Sequence, residues 1–269
     1  MNRFAKNQTG ILIIVFSLNF ILQIGFTQSN KPQFISFSIE NGLPGTVVKS
    51  ICQDSTGFIW IATDNGISRY DGKRFTNYSF EIDDSNSIPS NVINKFFISR
   101  EGKLWIGTNN GLCYYEPVND NFIRIIPYQN LERNNPMNII TGIDEDNDGN
   151  IYFLVETGRL FKLENNHPVM KLNIQQETCK VMEIDDQNIC WIGAGEILYK
   201  FDFQNNLTSQ YRIVTSDITT VPEIWDLVFD GDLIYVAMLK NDIIRLKHKN
   251  RRINKIRIVK KSPKCYMFL

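Results

Sequence analysis

The chain has 269 residues, of which 43% are hydrophobic and 12% aromatic, so it can bury a core and is not an intrinsically disordered sequence. Its 29 basic and 29 acidic residues balance overall, but every acidic residue lies within 28–246, where 18 basic residues accompany them. This acidic excess excludes nucleic acid as the expected partner of the folded part.

The N-terminus has the pattern of an export signal. Arg3 and Lys6 precede a 12-residue apolar run, 11–22, and small residues lie before a cleavage point ahead of Gln28. We therefore predict a signal peptide over residues 1–27 and a periplasmic location. The alternative is an uncleaved signal that tethers the protein to the inner membrane, although the run is short for a membrane span.

An internal repeat dominates the rest of the chain. Residues 54–71 and 99–116 align without gaps and share a tryptophan, a T-x-N-G segment and a tyrosine. Fainter copies follow at 146–161, 185–199 and 230–238. The structural anchors of the repeat are Trp60, Trp105, Tyr152, Trp191 and Tyr235, with the turn glycines Gly57, Gly66, Gly102 and Gly111. The anchors are 39 to 47 residues apart, a period typical of β-propeller blades.

Each repeat unit can be divided into four short strands. The D-S-T-G segment at 54–57 predicts a tight turn, and Asn65-Gly66 predicts a hairpin. We expect an all-β protein of four-stranded antiparallel blades at about 47–80, 92–127, 139–172, 180–214 and 224–259. A small residue two places after most anchors suggests that neighbouring blades approach closely there.

Residues 43–71 and 88–116 closely resemble the two-component regulator propeller repeat. They read L-P-G-T-V-V-K-S-I-C-Q-D-S-T-G-F-I-W-I-A-T-D-N-G-I-S-R-Y-D and I-P-S-N-V-I-N-K-F-F-I-S-R-E-G-K-L-W-I-G-T-N-N-G-L-C-Y-Y-E. The resemblance extends over about 33–246. It implies the periplasmic sensor part of a hybrid two-component histidine kinase, a carbohydrate or other small-molecule ligand, a seven-bladed ring and a downstream kinase region in the parent protein.

Five copies of the repeat are recognisable instead of the seven that this resemblance implies. Residues 33–38 resemble an outermost strand, and in closed propellers such a strand fastens the ring by completing the last blade. The fifth copy, however, has its own outer strand at 252–259. We therefore expect a truncated sensor, with a genuine five-bladed ring as the alternative.

Catalytic and metal motifs are weak or missing from the sequence. There is no kinase signature and no P-loop, so the chain is not expected to be an enzyme, and no cofactor or catalytic residue is assigned. His167 and His248 have no partner in the sequence, and no cluster of ionisable residues recurs at equivalent repeat positions. Asp144, Asp146 and Asp148 fit the start of a calcium loop, but Val155 occupies the place of its final glutamate. A β-turn is the preferred reading.

Three features remain open. The five cysteines show no disulfide spacing and fit core positions. The basic end, 247–269, is a last strand plus a solvated tail, a lipid contact, or sequence foreign to the repeat. Besides a ligand sensor, for which a homodimer is one expected state, the alternatives are a protein-interaction scaffold and a periplasmic propeller lyase.

Overall fold

The computed structural model describes residues 34–175, 178–213, 223–239, 243–249 and 252–259. The predicted signal peptide, Gln33 and the end of the basic tail lie outside these ranges. The described residues from Phe37 onward belong to one compact unit. In the described ranges the one helix is a 3-10 turn at Ile39–Asn41, and no helix there has the length and apolarity to cross a bilayer.

In the part of the chain that the structure describes, twenty strands form five antiparallel sheets of four strands each, and the strands of each sheet pair in chain order. Blade 1 has β1 (Val48–Gln53), β2 (Ile59–Thr63), β3 (Gly66–Tyr70) and β4 (Phe75–Tyr78). Blade 2 has β5 (Ile93–Ile98), β6 (Leu104–Thr108), β7 (Gly111–Glu116) and β8 (Asn121–Ile125). Blade 3 has β9 (Ile140–Glu145), β10 (Ile151–Val155), β11 (Arg159–Glu164) and β12 (His167–Asn173).

The last two blades repeat this arrangement. Blade 4 has β13 (Cys179–Ile184), β14 (Ile189–Ala194), β15 (Ile197–Asp202) and β16 (Leu207–Arg212). Blade 5 has β17 (Ile224–Asp230), β18 (Leu233–Met238), β19 (Ile243–Lys249) and β20 (Arg252–Val259). The prediction of five four-stranded antiparallel propeller blades is confirmed.

The core consists of four seams, each between two consecutive blades. Every seam has its own cluster of buried side chains, and the anchor of one blade packs against the first two strands of the next. A side chain on Gly107 would place its Cβ 2.8 Å from Ile140 Cγ2, and one on Gly193 would lie 2.5 Å from Ile224 Cγ2. Neighbouring blades therefore do approach closely two residues after the anchor, because glycine allows the contact.

The β2–β3 and β6–β7 hairpins have the same construction. Gly66 and Gly111 have φ angles of 110° and 108°, a region that favours glycine, and a Cβ there would lie 2.6 Å and 2.8 Å from backbone oxygens of the outer strand. The hydroxyls of Thr63 and Thr108 donate to the backbone oxygens of these glycines at 2.9 Å. The T-x-N-G segment is thus a structural element of the blade.

The segment predicted to fasten the ring, 33–38, is described by the structure from Phe34 onward. Phe34–Ser38 belong to no strand, and blade 5 already has β20 as its fourth strand, so its third strand has no free edge. Phe37 nevertheless packs on Tyr70 and Phe75, with ring centroids 5.2 Å and 5.4 Å away. Tyr78 contacts Tyr115 and Phe122 of blade 2 in the same manner. A fastening role for 33–38 stays a prediction.

Candidate ligand-binding surface on the inner strands

The innermost strand of every blade contains a β-bulge near its start. The Cα pairing with the second strand skips one residue in each blade, and the skipped residues are Lys49, Asn94, Thr141, Lys180 and Trp225. A bulge bends the strand and redirects a side chain, which is why bulges are frequent beside binding sites. These five bulge residues define one equivalent position on the inner strands.

The bulge residues differ in whether their side chains have hydrogen-bond partners within the protein. Asn94 Nδ2 donates to Asn109 Oδ1 at 2.9 Å and to Ile140 O of the next blade at 3.2 Å. Lys180 Nζ donates to Glu156 Oε1 of the preceding blade at 3.1 Å. The Thr141 hydroxyl is buried without a protein partner, and the Trp225 side chain is exposed. At this position, blade 3 therefore has a hydroxyl group without a protein partner, and blade 5 has an exposed aromatic ring.

Ionisable side chains from four inner strands converge next to the bulges. Lys95 Nζ of β5 lies 3.8 Å from Glu183 Oε1 of β13, which spans blade 3. Asp144 of β9 accepts a hydrogen bond from Ile184 N at 2.6 Å, and the Asp226 charge of β17 acts on Glu183. We call Lys95, Asp144, Glu183 and Asp226 the inner-strand cluster. It holds three carboxyl groups and one ammonium group.

The pKa values of two carboxyl groups of this cluster, Asp144 and Glu183, are raised. The pKa of Glu183 is raised to about 8, mainly by burial and also by the charges of Asp144 and Asp226, while the charge of Lys95 opposes the rise. Burial also raises the pKa of Asp144, against the hydrogen bonds from Ile184 and Glu145 backbone N–H groups. Asp144 and Glu183 interact directly, so near neutral pH the pair retains a proton.

Two carboxyl groups of this cluster recur at one equivalent position of the repeat. Asp144 pairs with the anchor Tyr152, and Glu183 pairs with the anchor Trp191, so both carboxyls occupy the same place in consecutive blades. The two residues lie eight positions before their anchors. This offset is visible in the sequence, but Cys52 and Phe97 hold the same place in blades 1 and 2 and hide it.

Four of the five predicted anchors lie in the seams and not at this surface. Trp60, Trp105, Tyr152 and Trp191 are buried, whereas Tyr235 is partly exposed. Gly57 and Gly102 have φ angles of 93° and 82° in the turns before the anchor strands. His167 is exposed and contacts the Asn165 carbonyl oxygen through Nδ1.

Sequence reasoning missed an aspartate that holds the anchor from six residues upstream. Asp54 Oδ2 accepts the Trp60 indole N–H at 2.7 Å, and Asp185 Oδ2 accepts that of Trp191 at 2.9 Å. The same carboxylates accept backbone N–H groups of their own turn. Blade 2 has Ser99 in this place, and the buried indole N–H of Trp105 has no protein partner.

A basic side chain faces several anchors from the third strand. Arg69, Lys162 and Lys200 pair across the sheet with the anchors of blades 1, 3 and 4, and their charges lie 5.6 to 5.8 Å from the ring centroids. Such cation–π contacts stabilise buried aromatic rings. Arg69 also donates a hydrogen bond to Asp120 at 3.0 Å. Asp120 accepts two further hydrogen bonds, from the hydroxyl groups of one tyrosine in blade 1 and one in blade 2.

Two carboxylates of the calcium-loop candidate, Asp144 and Asp146, accept hydrogen bonds from the protein itself. Asp146 accepts the backbone N–H groups of Asp148 and Asn150 and the Tyr152 hydroxyl, while Asp144 accepts Ile184 N from the next blade. Within the described ranges no three His, Cys, Asp or Glu side chains are grouped to hold a metal ion. Asp144, Asp146 and Asp148 therefore act in the turn and the seam.

Comparisons with known proteins agree with this fold. Residues 42–65 and 87–110 match the two component regulator propeller family. The extracellular domain of BT4673 from B. thetaiotaomicron, described as a one component system, matches with a TM-score of 0.63 at 20% identity over 82% of this chain and 32% of that one. A second structure of that domain, described as a hybrid two component system, gives 0.55 at 16% identity over 86% and 39%.

A protein of unknown function from Bacteroides caccae also matches, with a TM-score of 0.53 at 10% identity over 74% of this chain and 77% of that one. No curated protein matches the chain. The chain spans about a third of the first solved structures, and identities this low show the fold alone. The chain is therefore a β-propeller protein whose first two blades carry two-component regulator propeller repeats.

Proposed function

We propose that this chain is the ligand-sensing propeller region of a two-component signalling protein, exported to the periplasm and responsive to oligosaccharides. The observation that carries the sensor role is the match of 42–65 and 87–110 to the two component regulator propeller family. The extracellular placement of the similar BT4673 domain supports export. The propeller would report binding to a histidine kinase region of the signalling protein and would not itself be a kinase.

The inner strands supply the chemistry that an oligosaccharide requires. Sugar rings stack on exposed aromatic side chains, and their hydroxyl groups hydrogen-bond to carboxylates and amides. The exposed ring of Trp225 is adjacent in the chain to Asp226 of the inner-strand cluster. We place the sugar on Trp225, with Asp226 and Glu183 accepting hydrogen bonds from its hydroxyl groups.

Calorimetric titration of the protein with a panel of polysaccharide fragments tests this proposal. Binding of one fragment class is expected, and Trp225→Ala should weaken it about tenfold or more because a stacking surface is lost. The matched control is Val118→Ala, which also shortens an exposed apolar side chain but lies on blade 2 away from the inner strands. No binding across the panel would contradict the oligosaccharide proposal.

Export is tested separately with a fusion of residues 1–40 to alkaline phosphatase, an enzyme that is active only outside the cytoplasm. Activity is expected from the fusion, and it should disappear when lysines interrupt the apolar run at 11–22, because the signal then loses its hydrophobic segment. Activity that survives this change would contradict export by the predicted signal peptide.

A further inference from the structure

The turn before the anchor strand holds a carboxylate in blades 1, 3 and 4. It begins with Asp54, Asp146 or Asp185, and Oδ2 of this aspartate accepts the polar group of the anchor at 2.7, 3.2 and 2.9 Å. Oδ1 accepts the backbone N–H groups of the residues two and four places further on. Converging backbone N–H groups in such a turn form a concave surface that favours an anion. The turn is therefore an anion-binding element, and in these blades the anion is part of the chain.

Blade 2 has the same turn without the carboxylate. Ser99 takes the place of the aspartate, and Gly102 keeps the positive φ angle, 82°, that the equivalent residues of the other three turns have. The Ser99 hydroxyl oxygen accepts the Lys103 backbone N–H at 3.2 Å. Trp105 is only 4% exposed, and its indole N–H has no protein partner. A buried donor without an acceptor costs free energy, so this turn favours an acceptor from outside the chain.

The charges of this turn also differ from those of the other three. The equivalent turns have acidic side chains and no basic ones, at 54–58, 146–150 and 185–189. The turn of blade 2 has Arg100 and Lys103 beside Glu101, and Arg100 is paired with Glu145 of blade 3 at 3.1 Å. Lys103 is in no ion pair with any described residue, and its Nζ lies 5.6 Å from the ring centroid of Trp105. The turn that lacks the carboxylate is thus the one with an ammonium group of its own.

We propose that the turn of blade 2 binds a small inorganic anion, chloride or a halide like it, in the place that the aspartate carboxylate has in the other turns. The anion would accept the indole N–H of Trp105 and the hydroxyl group of Ser99, and the Lys103 ammonium group would balance its charge. A serine side chain is two heavy atoms smaller than that of aspartate, so a monatomic ion suits this place better than a larger anion. Lys103 is exposed, which allows its side chain to move aside and admit the ion. This site lies apart from the inner strands and does not depend on the sensor role.

Thermal melting of the full chain in sodium chloride and in sodium gluconate of equal ionic strength tests the site, because gluconate is too large for the turn. The wild-type melting temperature should be higher in chloride by about 2 °C or more, since an ion that binds the folded state stabilises it. Ser99→Asp supplies the carboxylate that the equivalent turns have, so it should fold and should remove the difference. Lys103→Met should reduce the difference, because it removes the ammonium group and keeps most of the hydrocarbon chain.

The matched control is Lys162→Met. Lys162 Nζ lies 5.8 Å from the ring centroid of Tyr152, but the turn of blade 3 has Asp146, so this variant should keep the full chloride effect. Chlorine NMR measures binding directly, and the wild type should broaden the chloride line more than Ser99→Asp does. Equal melting temperatures of the wild type in the two salts overturn the proposal, because water then suffices as the acceptor. A chloride effect that persists in Ser99→Asp, or that Lys162→Met reduces as much as Lys103→Met, overturns it as well.

Discussion

Carboxyl groups in two regions of this protein, the turns before the anchor strands and the inner strands, have different surroundings. At the turns before the anchor strands, Asp54 and Asp185 each accept an indole N–H and backbone N–H groups. Burial alone would raise the pKa of Asp54, but these hydrogen bonds and that of Thr56 lower it below 3.8. On the inner strands, Asp144 and Glu183 crowd one another, and burial raises the pKa of both.

This contrast in surroundings distinguishes carboxylates that stabilise the blade from carboxyl groups that do not. A carboxylate surrounded by N–H donors is stabilised in its charged form, so removing it leaves buried donors unpaired. Two carboxyl groups that face each other on neighbouring inner strands favour a shared proton. When the pH rises and this proton is lost, the folded protein loses stability. Groups of the second kind are typical of binding surfaces.

The largest effect is expected from removal of a turn carboxylate. Asp185→Ala should lower the free energy of unfolding by about 2 to 4 kcal/mol, because the indole N–H of Trp191 and two backbone N–H groups lose their acceptor. Urea unfolding measures this change. Asp186→Ala is the control, since its side chain is exposed, and a similar loss in both variants would contradict the assigned role of Asp185.

The two tryptophan anchors of blades 1 and 2 allow a direct comparison. Trp60→Phe should cost about 1 to 2 kcal/mol more than Trp105→Phe, because the first leaves Asp54 without its donor and the second removes an indole N–H that has no protein partner. Both substitutions remove similar ring surface, so each serves as the other's control. Equal losses in urea unfolding would show that the hydrogen bond adds nothing.

The stability contributed by Glu183 should depend on pH in the opposite direction to that contributed by Asp54. The pKa of Glu183 rises from 4.5 to about 8 on folding, so the folded protein holds a proton over this range that the unfolded chain has released. The resulting stability is complete below about pH 4.5 and is lost as the pH rises through about 8. Glu183→Gln should therefore stabilise the protein above pH 8 by on the order of 1 kcal/mol, a figure reduced for partial exposure.

Thermal melts between pH 4 and pH 9 measure this dependence. Glu164→Gln is the matched control, since Glu164 lies on an outer part of blade 3 in an exposed ion pair with Lys171. Its melting profile should keep the wild-type slope between pH 5 and pH 8. An unchanged slope in Glu183→Gln would contradict the shared proton.

The smallest effect is expected from giving blade 2 the missing carboxylate. Ser99→Asp should raise the free energy of unfolding by about 0.5 to 1 kcal/mol, because the new carboxylate can accept the Trp105 indole N–H. The gain should vanish when Ser99→Asp is combined with Trp105→Phe. A gain of equal size in the double variant would place its origin elsewhere in the turn.

Much of the fold was predictable because its signals are local. The turn glycines, the Asn-Gly hairpin at Gly66 and the regular anchors follow from backbone preferences and from one aromatic side chain per blade, and these recur in the sequence at a constant offset. The small residues two places after the anchors also correctly predicted a close approach between neighbouring blades. The fastening strand was harder to predict, because whether 33–38 forms a strand depends on a free strand edge far away in the chain.

The blade architecture and the resemblance of the first two repeats to the propeller repeat family follow from the amino-acid sequence alone, since both depend on residues within one blade. The tertiary structure decided which residues meet between blades. Lys95, Asp144, Glu183 and Asp226 come from four blades and converge because the inner strands lie side by side.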